Sequence, residues 1–128
     1  MKRRTLEWIE IAEGDWLAGQ RELAAPTPVC HVVCFLAQQC AEKCLKAFLE
    51  EQQTAFKKDH DLVALLDLAG TAFPQLDSWR PQLSHLGTFG IAVRYPGPRA
   101  DREAATRAMS VAREVRAAVR TKLGLPIA

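Results

Sequence analysis

Between Cys30 and Glu50 the chain reads CHVVCFLAQQCAEKCLKAFLE, and neither Gly nor Pro interrupts it until Gly70. Thr27 and Pro28 just ahead form a helix start, a capping oxygen followed by a residue whose missing N–H costs nothing at the first helical position. Wound at about 100° per residue, Val33, Ala37, Cys40, Ala41, Cys44, Leu45 and Phe48 share one wide apolar face. Gln39, Glu42, Lys43, Lys46 and Glu50 lie opposite them in the second half. The first half, through Leu36, is apolar on nearly every side. Such a helix is expected to be surrounded by others at its first half and to show a polar stripe along its second. It is the central helix of a small bundle.

The same stretch holds all four cysteines, Cys30, Cys34, Cys40 and Cys44. Cys30 and Cys40 are about 15 Å apart along a helix axis, too far for one tetrahedral metal with bonds of roughly 2.3 Å. Pairs at i and i+4 project in parallel and make poor disulfides. The expectation is small side chains filling core space in a reducing compartment, with a disulfide between subunits as the alternative.

The rest of the chain supplies helices to surround the central one. Trp8, Ala12, Trp16, Gly19 and Leu23 recur at helical spacing between Thr5 and Leu23. Asp15 shares that stripe and needs a basic partner or helix N–H groups. A polar connection through Lys58 leads to a short helix capped by Asp59 or His60, apolar at Leu62, Leu65, Leu66 and Ala69 and stopped by Gly70. A fourth segment is expected from about Trp79 to Ala92, with Ser78 as cap and Pro81 in the first turn. The last begins at the cap Asp101, buries Ala104, Ala108, Val111, Ala112, Val115 and Val119, and ends at Gly124 and Pro126. The fold class read from these periods is all-α, an antiparallel up-and-down bundle of four or five helices in one domain over residues 1–128.

Charge is distributed unevenly. Residues 1–98 carry 10 basic and 12 acidic side chains, and residues 99–128 carry 7 and 3. Arg102, Arg113, Arg116 and Arg120 fall on one side of the last helix, opposite its core face, as a candidate phosphate-binding strip or as a solvated face. No aromatic side chains interleave with them for base stacking. No apolar run is long enough for a bilayer and no signal-type segment follows the basic start, so the expected location is cytoplasmic, away from membranes. The Glu-x-x-His pairs of di-iron bundles are absent, as are phosphate-binding glycine loops, so neither metal nor cofactor is expected.

Four strings, in order, carry a resemblance. Trp8, Ala12 and Asp15 resemble the first-helix signature of the HEPN domain family (higher eukaryotes and prokaryotes nucleotide-binding). Ala37-Gln38-Gln39 with Glu42 and Lys46 resembles its central string. His60-Asp61-Leu62 with Leu65 and Leu66 resembles a third, with Asp59 in place of the usual hydroxyl residue. Arg94-Tyr95-Pro96 resembles a fourth. The resemblance spans most of the chain and implies a helical bundle that commonly forms homodimers.

It also implies two roles. One is a nucleotide- or RNA-associated binding module, the companion of a minimal nucleotidyltransferase in a toxin–antitoxin-like pair. Gln39, Glu42, Lys46, His60, Arg94 and Tyr95 would then line a nucleotide- or partner-binding cleft, or a dimer seam. The other is a metal-independent ribonuclease built on an Arg and a His a few residues apart, here Arg80 and His85, although Pro81 stands where a polar residue is expected. A homodimerisation domain without activity is the third alternative. Local readings stand beside these: Glu42 and Lys46 as a simple i, i+4 ion pair, His60 as a hydrogen-bonded helix-start residue, and Asp15, Lys46 and Arg94 as a buried polar network across three helices.

Overall fold

The computed structural model describes residues 1–89 and 99–127. Within them the chain forms five α-helices and no strand: α1 (Arg3–Leu23), α2 (Cys30–Glu51), α3 (Leu62–Ala69), α4 (Leu76–Gly87) and α5 (Arg102–Leu123), with a 3-10 turn at Gly70–Ala72. They pack as the expected antiparallel up-and-down bundle. α2 is its centre, lying most extensively against α1 and α5 and also touching α3 and α4. None of these helices is long and apolar enough to cross a membrane.

Helix ends follow local chemistry, with three departures from expectation. α2 begins at Cys30 rather than beside Thr27, and the Glu22 carboxylate accepts from the Val29 N–H at 2.9 Å. The Glu22 contact holds the residue just before the helix, and no side chain caps α2. α3 is capped by Asp61, whose Oδ1 accepts from Ala64 N–H at 3.1 Å, so neither Asp59 nor His60 serves as its cap. α4 starts at Leu76, placing Pro81 past the first turn, where it removes one helical N–H donor. Trp79 N–H and Ser78 Oγ both bond to the Gln75 carbonyl, at 2.9 and 3.0 Å, and this earlier turn moves the start upstream. Asp101 caps α5 as expected, accepting from Ala104 N–H at 2.8 Å. Gly124 ends it in the left-handed region at φ 72°, which lets Leu125 N–H reach back to the Arg120 carbonyl at 2.8 Å.

Two clusters hold the helices. Val33, Ala37, Cys40, Ala41, Cys44 and Leu45 of α2 are buried together with Ile9, Ala12 and Trp16 of α1 and Ala105, Met109, Ala112, Val115 and Val119 of α5. Phe48, Phe73 and Trp79 stack in sequence, with centroids 4.8 and 5.5 Å apart, and fasten α3 and α4 to the end of α2. Burial pushes the Cys34 thiol up to about 11. The Cys40 thiol is held well above its usual range by its hydrogen bond to Cys44 and by burial. Thiols kept protonated in this way pack as small apolar groups.

The polarity of α2 is the reverse of the expected one. The second half is enclosed, with every residue from Cys44 to Leu49 buried, while His31, Val32, Phe35 and Leu36 of the first half are only partly covered. The polar stripe is covered because the start of α1 and the connection after α2 both fold over it.

The arginine strip of α5 is also corrected. Arg102 and Arg113 are exposed, but Arg116 is buried and Arg120 is partly covered. Arg116 makes a bidentate pair with Glu13 of α1, at 2.9 and 2.6 Å, and donates to the Ile127 carbonyl at 2.7 Å. Arg120 Nη1 lies 3.5 Å from the same carboxylate. Arg113 and Arg116 both sit over the Trp16 ring, at 5.7 and 5.2 Å. Glu13 draws these arginines onto α1, so the four guanidinium groups do not form one phosphate-facing row.

The α1–α5 seam sets two expectations for stability. Arg116 beside Glu13 holds its carboxyl below the usual range. The stabilisation is therefore complete above the unfolded carboxylate pKa, about 4.3, and is lost as pH falls through the lower folded value. Glu13→Gln should cost about 2–3 kcal/mol at pH 7, less than a fully buried pair because Glu13 is 32% exposed. Urea titrations from pH 7 to pH 3 should show wild type and variant converging as pH falls. At Gly19 an added Cβ would stand 2.9 Å from the Met109 thioether sulfur, the mobile end of a flexible side chain. The helical gain of Gly19→Ala, up to about 1 kcal/mol, should nearly cancel that crowding, while Gly19→Leu should lose about 2–3 kcal/mol in thermal or urea denaturation.

Candidate functional site

Beside its buried apolar side chains, α2 also encloses a polar chain. Gln39 Nε2 donates to Gln38 Oε1 at 2.6 Å, and Gln38 Nε2 donates to Glu42 Oε1 at 3.0 Å. One turn on, Lys46 Nζ donates to Glu42 Oε2 at 3.0 Å. His60, just before α3, places Nδ1 at 2.9 and 3.0 Å from the two Glu42 oxygens. Glu42 is 0% exposed and Lys46 5%. Spacing of four along α2 aligns Gln38, Glu42 and Lys46 on one side, and the extended residues after α2 bring His60 back to that side.

A buried ion pair needs further partners to offset its desolvation. Glu42 has three: an amide, an ammonium and an imidazole. Lys46 has the Glu42 carboxylate and the faces of Trp8 and Phe56, with ring centroids 5.3 and 5.9 Å from Nζ. Trp8 and Phe56 meet edge to face at 6.1 Å. The resulting unit reaches from α1 through α2 to the connection before α3.

Above it opens a cleft of about 640 Å³, lined by Lys2, Arg4, Trp8, Lys46, Phe56, Lys58 and His60 among others. Glu50, also on the wall, pairs with Arg4 at 3.1 Å. Glu51 accepts from Lys2 N–H and Thr5 Oγ1, at 3.0 and 2.9 Å. The His60 side chain is 61% exposed. With Nδ1 committed to Glu42, Nε2 is the ring nitrogen left for an incoming group. Cations over apolar walls, with a carboxylate-oriented imidazole at the edge, suit an anionic ligand that has an apolar portion.

Of the binding residues expected from sequence, Glu42, Lys46 and His60 come together here, and Gln39 stands two hydrogen bonds behind Glu42, through Gln38. Arg94 and Tyr95 lie outside the described residues. Asp15 pairs with Lys43 at 3.8 Å, whereas Lys46 pairs with Glu42. The expected Asp15–Lys46–Arg94 network is replaced to that extent, because Lys46 points into the turn below it and Lys43 faces α1. Burial pushes the Asp15 carboxyl above its usual range against the pull of Lys43.

Arg80 and His85 are not drawn together. Arg80 Nη1 pairs with Asp67 of α3 at 2.5 Å, and His85 meets Phe89 edge to face at 5.4 Å. Five residues apart on one helix, they project roughly 140° from each other.

Lys2, Arg4, Trp8, Phe56 and Lys58 join the site without having been marked for it by sequence. The basic start and the aromatic-then-basic run Phe56-Lys57-Lys58 are visible there, but nothing local says that these two segments meet. The polar unit also has a consequence for stability. Glu42→Gln should destabilise by about 3 kcal/mol, since it leaves a buried ammonium without its counter-charge, and Glu42→Gln combined with Lys46→Met should recover part of that loss. Urea unfolding of these two variants and of Lys46→Met alone would measure the coupling.

Known proteins share both the sequence pattern and the bundle. The HEPN domain profile matches residues 5–122. Among solved structures the chain is similar to TT1696 from Thermus thermophilus, at 24% identity and a TM-score of 0.80, covering 94% of this chain and 99% of that one. It is also similar to ST0689, an archaeal HEPN homologue, at 25% identity and a TM-score of 0.77, covering 96% and 99%. No curated protein matches. With a profile match across nearly its whole length and the helical bundle to accompany it, the chain belongs to the HEPN domain family.

Proposed function

We propose that this protein is a nucleotide- or RNA-associated binding module that holds a phosphate-bearing ligand in the cleft above Lys46. The observation that carries the proposal is the convergence of Lys2, Arg4, Lys46, Lys58 and His60 on one cleft walled by Trp8 and Phe56. Phosphate recognition needs clustered donors, and nucleosides need apolar or aromatic surface; both are present on one wall. Family membership supports the same reading and extends it. The protein acts as the companion of a minimal nucleotidyltransferase, as a homodimer in a toxin–antitoxin-like pair.

The ribonuclease alternative at Arg80 and His85 draws no support from their geometry, since each faces a different partner. A metal-free cleavage assay with Arg80→Ala and His85→Ala beside wild type keeps that alternative testable. Activity present in wild type and lost in both variants would reinstate it.

The primary test is binding of a short RNA and of mononucleotides, followed by calorimetry and by tryptophan fluorescence, since Trp8 lines the cleft. Lys58→Ala and His60→Gln should each weaken binding by about tenfold, the cost of losing one charge-assisted contact. Affinity for RNA should fall steeply with added salt. Arg113→Ala, on the far α5 face, should leave affinity unchanged. Equal affinity in all three variants would sink the proposal. Co-purification with a nucleotidyltransferase would test the partner assignment independently.

A further inference from the structure

The cleft carries more information than a preference for negative charge. Four cationic side chains, Lys2, Arg4, Lys46 and Lys58, face it. Two carboxylates answer them: Glu50 on Arg4 and Glu42 beneath Lys46. Among the residues lining the cleft, two positive charges are left over before His60 is counted, carried by Lys2 and Lys58; Glu51, on the Lys2 backbone N–H, stands outside that lining. A phosphodiester brings one negative charge, whereas a phosphate monoester brings about one and a half to two near neutral pH. The charge balance matches the monoester.

Access to the floor gives a second argument. Lys46 Nζ lies beneath the Trp8 and Phe56 rings, and its side chain is only 6% exposed. The two rings line the cleft beside that floor, and an internal phosphate of a polynucleotide brings a sugar on either side of it. A terminal phosphate presents three oxygens and no second substituent.

The imidazole supplies a third argument. Nδ1 is bound to Glu42, which leaves Nε2 as the acceptor of a neutral ring or the donor of a charged one. A monoester suits both states. Its dianion accepts from the charged ring, and its monoanion donates a P–O–H proton to the neutral one. A diester has no such proton.

Resting on the binding-module reading above, we propose that the ligand of this cleft is a terminal phosphate monoester, either a mononucleotide or the phosphorylated end of an RNA. Lys2, Lys58 and His60 Nε2 contact the phosphate oxygens, with Lys46 beneath them and Trp8 and Phe56 beside the attached nucleoside.

The deciding experiment compares ligands that differ only in phosphate type, by titration calorimetry at fixed ionic strength on the full chain. The probes are AMP, adenylyl-(3′→5′)-adenosine, adenosine, inorganic phosphate, and one short RNA with either a 5′-phosphate or a 5′-hydroxyl. AMP and 5′-phosphorylated RNA should bind at least about tenfold more tightly than the diester and the 5′-hydroxyl RNA, and inorganic phosphate should compete with AMP. The preference should vanish in the exposed-residue variant Lys58→Ala/His60→Gln, whose fold is checked by circular dichroism. Preference retained in that variant would overturn the assignment of these residues. Phosphorylated and hydroxyl-ended RNA binding alike, with both weakened in the variant, would overturn the monoester inference while leaving the binding-module reading intact. No binding of any probe to wild type would overturn both.

Discussion

A carboxylate with no exposed surface must have its charge answered within hydrogen-bond reach, and the Glu42 carboxylate organises one end of this bundle for that reason. Gln38 and Lys46 reach it from the same helix, and His60 reaches it from a different segment. The His60 contact is the only one of the three that requires tertiary structure. It fixes where the chain runs after α2, and with it the placement of Phe56 and Lys58. The cleft thus has a floor whose hydrogen bonds hold its own walls.

A second polar anchor works at the α1–α5 seam. Glu13 takes both donors of the Arg116 fork while Trp16 lies under the guanidinium. The same arginine holds the carbonyl of Ile127. One charged residue therefore joins two helices and the chain beyond α5. The two anchors divide the charged residues between structure and surface. Arg116 and Glu42 are consumed by packing, whereas Lys2, Lys58 and the outer edge of His60 remain available to a ligand.

Several features were legible because they depend on neighbours in sequence. The five helices follow from apolar periodicity, and the cap at Asp101 and stop at Gly124 from local hydrogen bonding. Glu42, Lys46 and His60 were marked by the strings that carry the family resemblance. The starts of α2 and α4 were misplaced by two to three residues, since neither Thr27 nor Ser78 acts as the cap and both helices start without a side-chain cap. The arginine row failed for a related reason. Angular position on a helix says which residues share a side, but not whether another helix offers a carboxylate there.

What the sequence by itself determined was the all-α architecture, the central place of the Cys30–Glu51 helix and the family, because each rests on periodicity or on ordered motifs along the chain. Tertiary structure alone decided which polar residues are buried and which face solvent. Burial of Lys46 requires Trp8 and Phe56 to close over it from segments 38 and 10 residues away. A charged side chain at helical spacing reads the same whether it meets water or another helix; only the packed bundle gives it a dielectric and a partner.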